Sequence, residues 1–473
     1  MNARDLFALL PLVLTAATAV LGMLAIAIAR NQALSLWITL IGLGASFASL
    51  WPVAGLLPRR ITVLLILDSY SVFYFGLMLA ATWVVSILSY GYLKLRAERR
   101  EELYVLLSIA TLGSMVLVSS NHFISFFLGL EILSVALYAL SAYLRDSSRS
   151  LEAGIKYLIL AGSSSAFLLF GMALIYAQLG TMDLARIGTL VSTAPYNPLT
   201  VVGLMLIITG IGFKLGVVPF HLWTPDVYEG APAPVTAFIA TVSKGAIFAL
   251  LLRYFYTSAA YSIRPVFAVF AIIAIASMIV GNLLALLQNN VKRILAYSSI
   301  AHMGYLLVAF EVGGSMASRA IAFYLVAYFI TTLGAFGVIT VLSDSERDRD
   351  ALADYRGLFW QRPVLASIFT VMLLSLAGIP LTAGFLAKFY VVAAGVSGAA
   401  WVLVLILVTT SVVGLFYYLR VLVTMYARTT EVSTPLPLFH PAGAVLIALT
   451  ILLVWFGVYP EVLLNLVRTA SPT

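Results

Sequence analysis

Ile211-Gly212-Phe213-Lys214-Leu215-Gly216-Val217-Val218-Pro219-Phe220-His221-Leu222-Trp223-Thr224-Pro225-Asp226 places a lysine in an apolar run, just before glycine and proline interrupt it. The run that leads into it, residues 199–217, is close to the roughly 20 apolar residues a helix needs to cross a bilayer. A lysine at the centre of such a helix costs about 2.5–3.5 kcal/mol on insertion scales. Pro219 removes an amide donor and kinks or ends the helix. Broken backbone at membrane depth is tolerated only where protein buries it or water lines it. The stretch therefore predicts a discontinuous transmembrane helix beside a hydrated path.

Composition supports this outward from the stretch. Of 473 residues, 62% are hydrophobic and only 10% charged, and the mean hydropathy is +1.07. A soluble domain carries about 25% charged residues, so a water-soluble enzyme and a disordered chain are both excluded. The apolar content suffices for roughly 12 to 15 spans. Cysteine is absent, which excludes disulfides, thiolate metal sites and iron–sulfur ligation. The net charge of +8 comes from scattered bases and does not indicate nucleic acid. The first apolar run, Leu6 to Ala29, exceeds a signal-peptide core and reads as a first span.

Polar breaks divide the chain into fourteen candidate spans: 6–29, 33–51, 62–92, 103–120, 122–144, 154–179, 199–217, 232–256, 265–288, 292–310, 318–342, 363–392, 400–427 and 442–465. The third and twelfth are long enough to be tilted or broken. Fourteen bases follow odd-numbered spans and seven lie on the other side. The positive-inside rule then puts both termini outside the cytoplasm. The polar loop Ser343 to Asp354 reads as a solvated face. Asn121 and Asn290, Pro219 and Pro380, and Arg253 and Arg420 recur at offsets of 169, 161 and 167. They suggest that spans four to eight correspond to spans nine to thirteen. Five helices is an odd number, so the second copy would be inverted, an arrangement found in transporters.

The charges left in apolar segments carry the functional reading. Glu131 lies mid-span in Phe127-Leu128-Gly129-Leu130-Glu131-Ile132, Lys214 within span seven and Lys244 in the middle of span eight. Lys388 follows a break in Gly378-Ile379-Pro380-Leu381-Thr382-Ala383-Gly384, and His302 sits inside span ten. A structural role for Glu131–Lys214 as helix glue is one reading, but one carboxylate cannot neutralise three lysines. Burial disfavours the charged form of a lysine, which suits such groups to take up and release protons near neutral pH. A carboxylate nearby favours the charged form again, so moving it would switch a lysine's proton affinity. His302 reads either as a proton relay or as a histidine hydrogen-bonded to a neighbouring helix. Ser298, Ser299, Tyr297 and Tyr305 could support waters beside it. Lys156, at the start of span six, and His221, at the break, are accessory candidates. His122 and His440 flank spans and read as interfacial. There is no Walker motif, no dinucleotide fingerprint, and no histidine pair with haem or zinc spacing.

Three long motifs match one family. Phe213 to Pro232 resembles the proton-translocating antiporter-like subunits of respiratory complex I, as does Asn290-Val291-Lys292-Arg293-Ile294-Leu295-Ala296-Tyr297-Ser298-Ser299-Ile300-Ala301-His302. Gly378 to Tyr390 looks like the subunit N branch of NADH–quinone oxidoreductase. The sister subunit M typically has glutamate where Lys388 stands, and subunit L carries a long C-terminal extension. The resemblance spans about residues 100–430.

It implies an all-α polytopic membrane protein of about 14 helices, with two inverted five-helix repeats and breaks in helices 7 and 12. The segments would be 1–102 (three helices), 103–257 and 258–428 (one half-channel each), and 429–473 (a last helix). It implies a relay of Glu131, which modulates Lys214, then Lys244 as the central group, His302 as a bridge and Lys388 as the releasing group. Lys156, His221 and Lys292 would be accessory. No cofactor would bind this chain; NADH, FMN, iron–sulfur clusters and quinone would belong to partner subunits. The partners would be subunits M, K and J in a bacterial inner membrane. The other readings are a subunit of a multi-subunit cation/proton antiporter or of a ferredoxin- or hydrogenase-linked complex, or a purely structural subunit.

Overall fold

The computed structural model describes residues 2–96, 99–193, 197–257, 264–428 and 441–468. Among these the chain is helical apart from one short hairpin. The helices in order are α1 (Ala3–Ala8), α2 (Leu10–Ile28), α3 (Gln32–Ala54), α4 (Ser69–Arg96), α5 (Glu102–Ser119), α6 (Phe123–Ser141) and α7 (Ser148–Leu179). Next come α8 (Leu184–Thr193), α9 (Pro198–Leu215), α10 (Trp223–Gly230), α11 (Ala233–Phe238), a π-turn (Ile239–Ser243) and α12 (Lys244–Thr257). The second half holds α13 (Arg264–Leu286), α14 (Val291–Val312), α15 (Gly314–Leu342), α16 (Leu358–Gln361) and α17 (Pro363–Ala377). It closes with α18 (Ala383–Ser397), α19 (Trp401–Tyr426), α20 (Pro441–Val458) and α21 (Glu461–Val467).

Among the described residues, twelve stretches are long and apolar enough to cross a membrane, against the fourteen expected. The difference falls at two places. Span four is the shorter helix Glu102–Val118, and span twelve is divided into Pro363–Ala377 and Ala383–Ser397. The start of span three is a correction. Residues 62–68 are not helical: Arg59–Ile61 pairs antiparallel with Leu65–Leu67, and the helix begins at Ser69. A short apolar run of this length does not by itself distinguish helix from strand.

Local signals set most helix ends. Asn31, His122, Ser147, Asn197 and Asn290 each accept from an amide of the first turn. Gly180, Gly216 and Gly378 end helices in the left-handed conformation. Residues 233–255 of the apolar span Ala233–Thr257 are all buried, and α14 and α15 are nearly so. The rim helices α2, α19 and α20 instead turn Leu21, Val402, Phe416 and Ile451 outward. In a bilayer that surface faces lipid or a neighbouring subunit, so it needs no polar cover.

Two buried charge clusters tie the bundle together; sequence reading named Lys292 as accessory and Arg253 as a mark of repetition, but not the partners of either. Asp68 and Arg253 lie 2.8 Å apart with both side chains only 2% exposed. Arg253 also donates to the Val118 carbonyl (2.8 Å) and to Ser71 (2.9 Å). The second cluster corrects the reading of loop 343–354 as a solvated face. Asp348 folds inward against Lys292 (2.8 Å), Arg96 (2.6 Å) and the Tyr92 hydroxyl (2.8 Å). Lys292, fully buried, further donates to the carbonyls of Glu229 and Ala231.

Burial pushes the Asp348 carboxyl up, but Lys292 and Arg96 outweigh it and hold it below the usual carboxylate range. A lowered folded value means that its stabilisation is complete at neutral pH and is lost only as acid reaches that lowered value. Asp348→Asn is therefore expected to loosen loop 343–351 already at neutral pH, read as faster tryptic cleavage at Arg347 and Arg349. Unchanged cleavage would mean that the loop is held by its other contacts.

Candidate functional site

Lys214 is placed by the end of α9. Gly216 terminates that helix with φ +69°, and its amide bonds to Phe213. Trp223 donates its indole N–H to the same carbonyl, and the Val218 amide donates to Ser277. These bonds satisfy broken backbone that lipid could not. Lys214 is 4% exposed, and its Nζ donates to Ser134 of α6 at 2.6 Å. The direct Glu131–Lys214 pair entertained above is not formed. Glu131, half-buried one turn before Ser134, accepts from Ser165 of α7 at 2.6 Å.

Lys244 sits where the π-turn Ile239–Ser243 meets α12. A π-turn widens the helix by one residue and often marks a functional position; no sequence signal pointed to it. The Lys244 Nζ donates to Ser299 of α14 at 2.7 Å, and Tyr328 of α15 donates to the same hydroxyl at 2.7 Å. Gly216 leaves room here: a Cβ on it would stand 2.4 Å from the Thr224 Oγ1 and 3.4 Å from the Lys244 Nζ. The two lysines therefore flank one helix break.

His302, 4% exposed, uses both ring nitrogens: Nδ1 with the Tyr324 hydroxyl at 2.7 Å and Nε2 with the Tyr418 hydroxyl at 3.3 Å. Tyr418 bonds in turn to Ser298. Ser298 and Ser299 thus hold different partners, Tyr418 on one side and Lys244 with Tyr328 on the other. Lys388 is half-buried beyond the second break. Its Nζ donates to the Ala377 carbonyl (2.9 Å) and to Ser411 (2.7 Å), and it lies 5.3 Å from the centre of the Tyr305 ring.

The accessory candidates lie elsewhere. Lys156 is 42% exposed and pairs with Asp226 (2.8 Å) and Glu152 (2.7 Å), apart from the buried row. His221 is buried at the break, with its Nδ1 unpartnered. Lys292 belongs to the Asp348 cluster. His440 lies outside the described residues. Sequence reading passed over Tyr324, Tyr328 and Tyr418, because a tyrosine in an apolar helix looks like packing until its hydroxyl partner is known.

Among the described residues, no carboxylate forms an ion pair with Lys214, Lys244 or Lys388; each amine rests on a hydroxyl. Buried amines held by hydroxyls beside two helix breaks, within an apolar helical bundle, make up the candidate site. A family described as NADH:quinone oxidoreductase/Mrp antiporter, TM, matches residues 120–414. NADH-quinone oxidoreductase subunit N of Ectopseudomonas mendocina is 50% identical, over 99% of this chain and 97% of its own. A chain of respiratory complex I from Thermus thermophilus with bound aureothin superposes with a TM-score of 0.83 at 34% identity, over 97% of this chain and 100% of that one. A chain of the Mrp complex from Dietzia sp. DQ12-45-1b shares the fold (TM-score 0.84, covering 100% and 97%) at 20% identity. The chain belongs to the NADH-quinone oxidoreductase subunit N family.

Proposed function

We propose that this chain is the proton-translocating membrane-arm subunit of a complex I-type NADH–quinone oxidoreductase. Protons move along Glu131, Lys214, Lys244, His302 and Lys388 while quinone is reduced in other subunits. The observation that carries the reading is that each of the three amines is held by a hydroxyl and not by a carboxylate. An amine so held can lose its proton without leaving a buried carboxylate unpaired, which an ion pair cannot do. The 50% identity to a subunit N over nearly the whole chain supports this reading over a cation/proton antiporter. Likeness to the Mrp chain bears on fold alone.

In this reading the bundle makes fourteen crossings, with α5 as the fourth and α17–α18 together as the twelfth. Residues 103–257 and 258–428 form inverted repeats, flanked by 1–102 and 429–473. Several paired features support this. Arg253 holds the Val118 carbonyl near the end of α5, and Arg420 holds the Leu286 and Gln288 carbonyls at the end of α13. His122 bridges to Asp183, and Asn290 to Ala351; both members move by 168 positions (290 − 122 and 351 − 183). Gly216 and Gly378 are both left-handed at a break. The bias of loop bases puts both termini on the outer face of a bacterial inner membrane. Neighbours would be subunits M, K and J, and NADH, FMN, iron–sulfur clusters and quinone would sit in partner subunits.

Purification of the tagged chain from membranes tests the assignment. It is expected to bring down flavin and iron–sulfur subunits and NADH-driven quinone reduction. Na⁺-dependent antiport in vesicles, without redox partners, would favour the antiporter reading instead.

Glu131→Gln removes a negative charge near Lys214 with little change of shape. Losing a little over 1 kcal/mol of charge interaction corresponds to about tenfold in rate. Turnover of the assembled complex is expected to fall by about that factor. Loss of assembly alone would assign Glu131 a structural role.

A further inference from the structure

Asn282 stands in the apolar stretch Met278-Ile279-Val280-Gly281-Asn282-Leu283 of α13 and is 1% exposed. A buried amide is costly unless its hydrogen bonds are made, and here they are. Its Nδ2 donates to the Met278 carbonyl at 2.8 Å and to the Tyr305 hydroxyl of α14 at 2.9 Å. Its Oδ1 accepts from the Tyr417 hydroxyl of α19 at 3.0 Å. A Cβ on Gly414 would stand 3.0 Å from that Oδ1 and 3.3 Å from the Tyr417 hydroxyl, so glycine leaves room for the bond. The Met278 carbonyl can only accept. It therefore fixes which end of the amide carries the hydrogens, and Asn282 must donate to Tyr305.

That donation fixes the Tyr305 hydroxyl in turn. With an N–H from α13 on its oxygen, its own O–H points away, toward Thr410 and Ser411 of α19, which flank the same hydroxyl. Thr410 commits its hydrogen to the Ile406 carbonyl at 2.6 Å. Ser411 is the hydroxyl that takes the Lys388 bond at 2.7 Å, and the Tyr305 ring centre lies 5.3 Å from the Lys388 amine. A charged amine only donates, whereas a neutral one has a lone pair that wants a donor. Ser411 can turn its hydrogen to that lone pair when Tyr305 supplies a hydrogen to the Ser411 oxygen. The other titratable groups nearby are His302 of α14, and Tyr324 and Tyr328 of α15 against it. Among the described residues, no charged group of α15, α17, α19 or α20 acts on Lys388.

We propose that Asn282 is a positioning residue for Lys388: by holding Tyr305 as a donor toward Ser411, it favours the neutral amine and so the release of its proton. In the release, one N–H bond of the Lys388 ammonium breaks, the electron pair stays on nitrogen, and the proton passes to water. Ser411 then donates to the lone pair so formed. Asn282 and Tyr305 set the direction of the hydrogen bonds and carry no proton themselves.

This inference rests on the relay reading, and its test separates the two. The rate of redox-driven proton translocation would be followed against pH in membranes carrying the whole complex. Asn282→Leu keeps the volume and removes the amide. It is expected to move the pH of half-maximal rate upward by about one unit, the scale of one hydrogen bond's preference, because the amine then stays charged to higher pH. Tyr305→Phe removes the donor that Asn282 directs and is expected to give a similar upward shift. The double variant is expected to shift no further than either single one, since both break the same connection. A purely structural defect would instead lower the rate at every pH without moving the profile. An unmoved profile in assembled Asn282→Leu, or in Tyr305→Phe where Asn282→Leu fails to assemble, would overturn this inference, and a blocked Lys388→Ala variant beside it would leave the relay standing. Native pumping in Lys388→Ala would overturn the relay reading, and this inference with it.

Discussion

Lys244→Ala is expected to stop redox-driven proton translocation almost completely while the complex still assembles. Lys244 is 1% exposed, and its amine donates to the Ser299 hydroxyl, which also takes the Tyr328 bond. Alanine leaves Ser299 and Tyr328 paired with each other, so packing survives. In the proposed relay it removes the group that would accept and release a proton between the two breaks. A barrier raised by about 1.4 kcal/mol already slows transfer about tenfold, and losing the carrier itself raises it further. The measurement is protons moved per electron in inverted membrane vesicles. An unchanged ratio in the variant would remove Lys244 from the relay.

The largest expected effect on stability lies away from the relay, at Asp68. Asp68→Asn leaves the Arg253 guanidinium buried without its counter-charge. Removing one partner of a buried pair costs about 3–5 kcal/mol, against a total of about 5–15 kcal/mol for a typical fold. The variant is expected to accumulate poorly in membranes and to melt at lower temperature in detergent. An Asp68→Leu, Arg253→Met double variant is expected to recover part of the loss, because no charge is then left alone. Recovery stays incomplete because the Val118 carbonyl and Ser71 lose their donor as well. Wild-type accumulation and melting of Asp68→Asn would show the pair to be dispensable.

Arg253 also shows where sequence reading ran short. It stands in Leu250-Leu251-Leu252-Arg253-Tyr254, as apolar a setting as that of Lys244. It was read only as a mark of repetition, because nothing local reveals its partner 185 residues earlier. The same limit applies to loop 343–354. Its composition looks solvated, yet Asp348 is drawn inward by Lys292 and Arg96 from two distant helices. The hairpin at 59–67 was lost in an apolar run for a different reason: residue type there fits strand and helix equally well.

By itself the sequence determined the membrane class, nearly all the helix positions and the set of charges within apolar segments. These depend on hydrophobicity, caps and breakers, which act over a few residues. Only the tertiary structure decided what each charge touches. It put Lys214 on Ser134 instead of Glu131, set Lys244 at a π-turn against Ser299, and set His302 between the hydroxyls of Tyr324 and Tyr418. Those are contacts between helices far apart in the chain. Their partners are chosen by how the helices pack and cross, which no short stretch of sequence encodes.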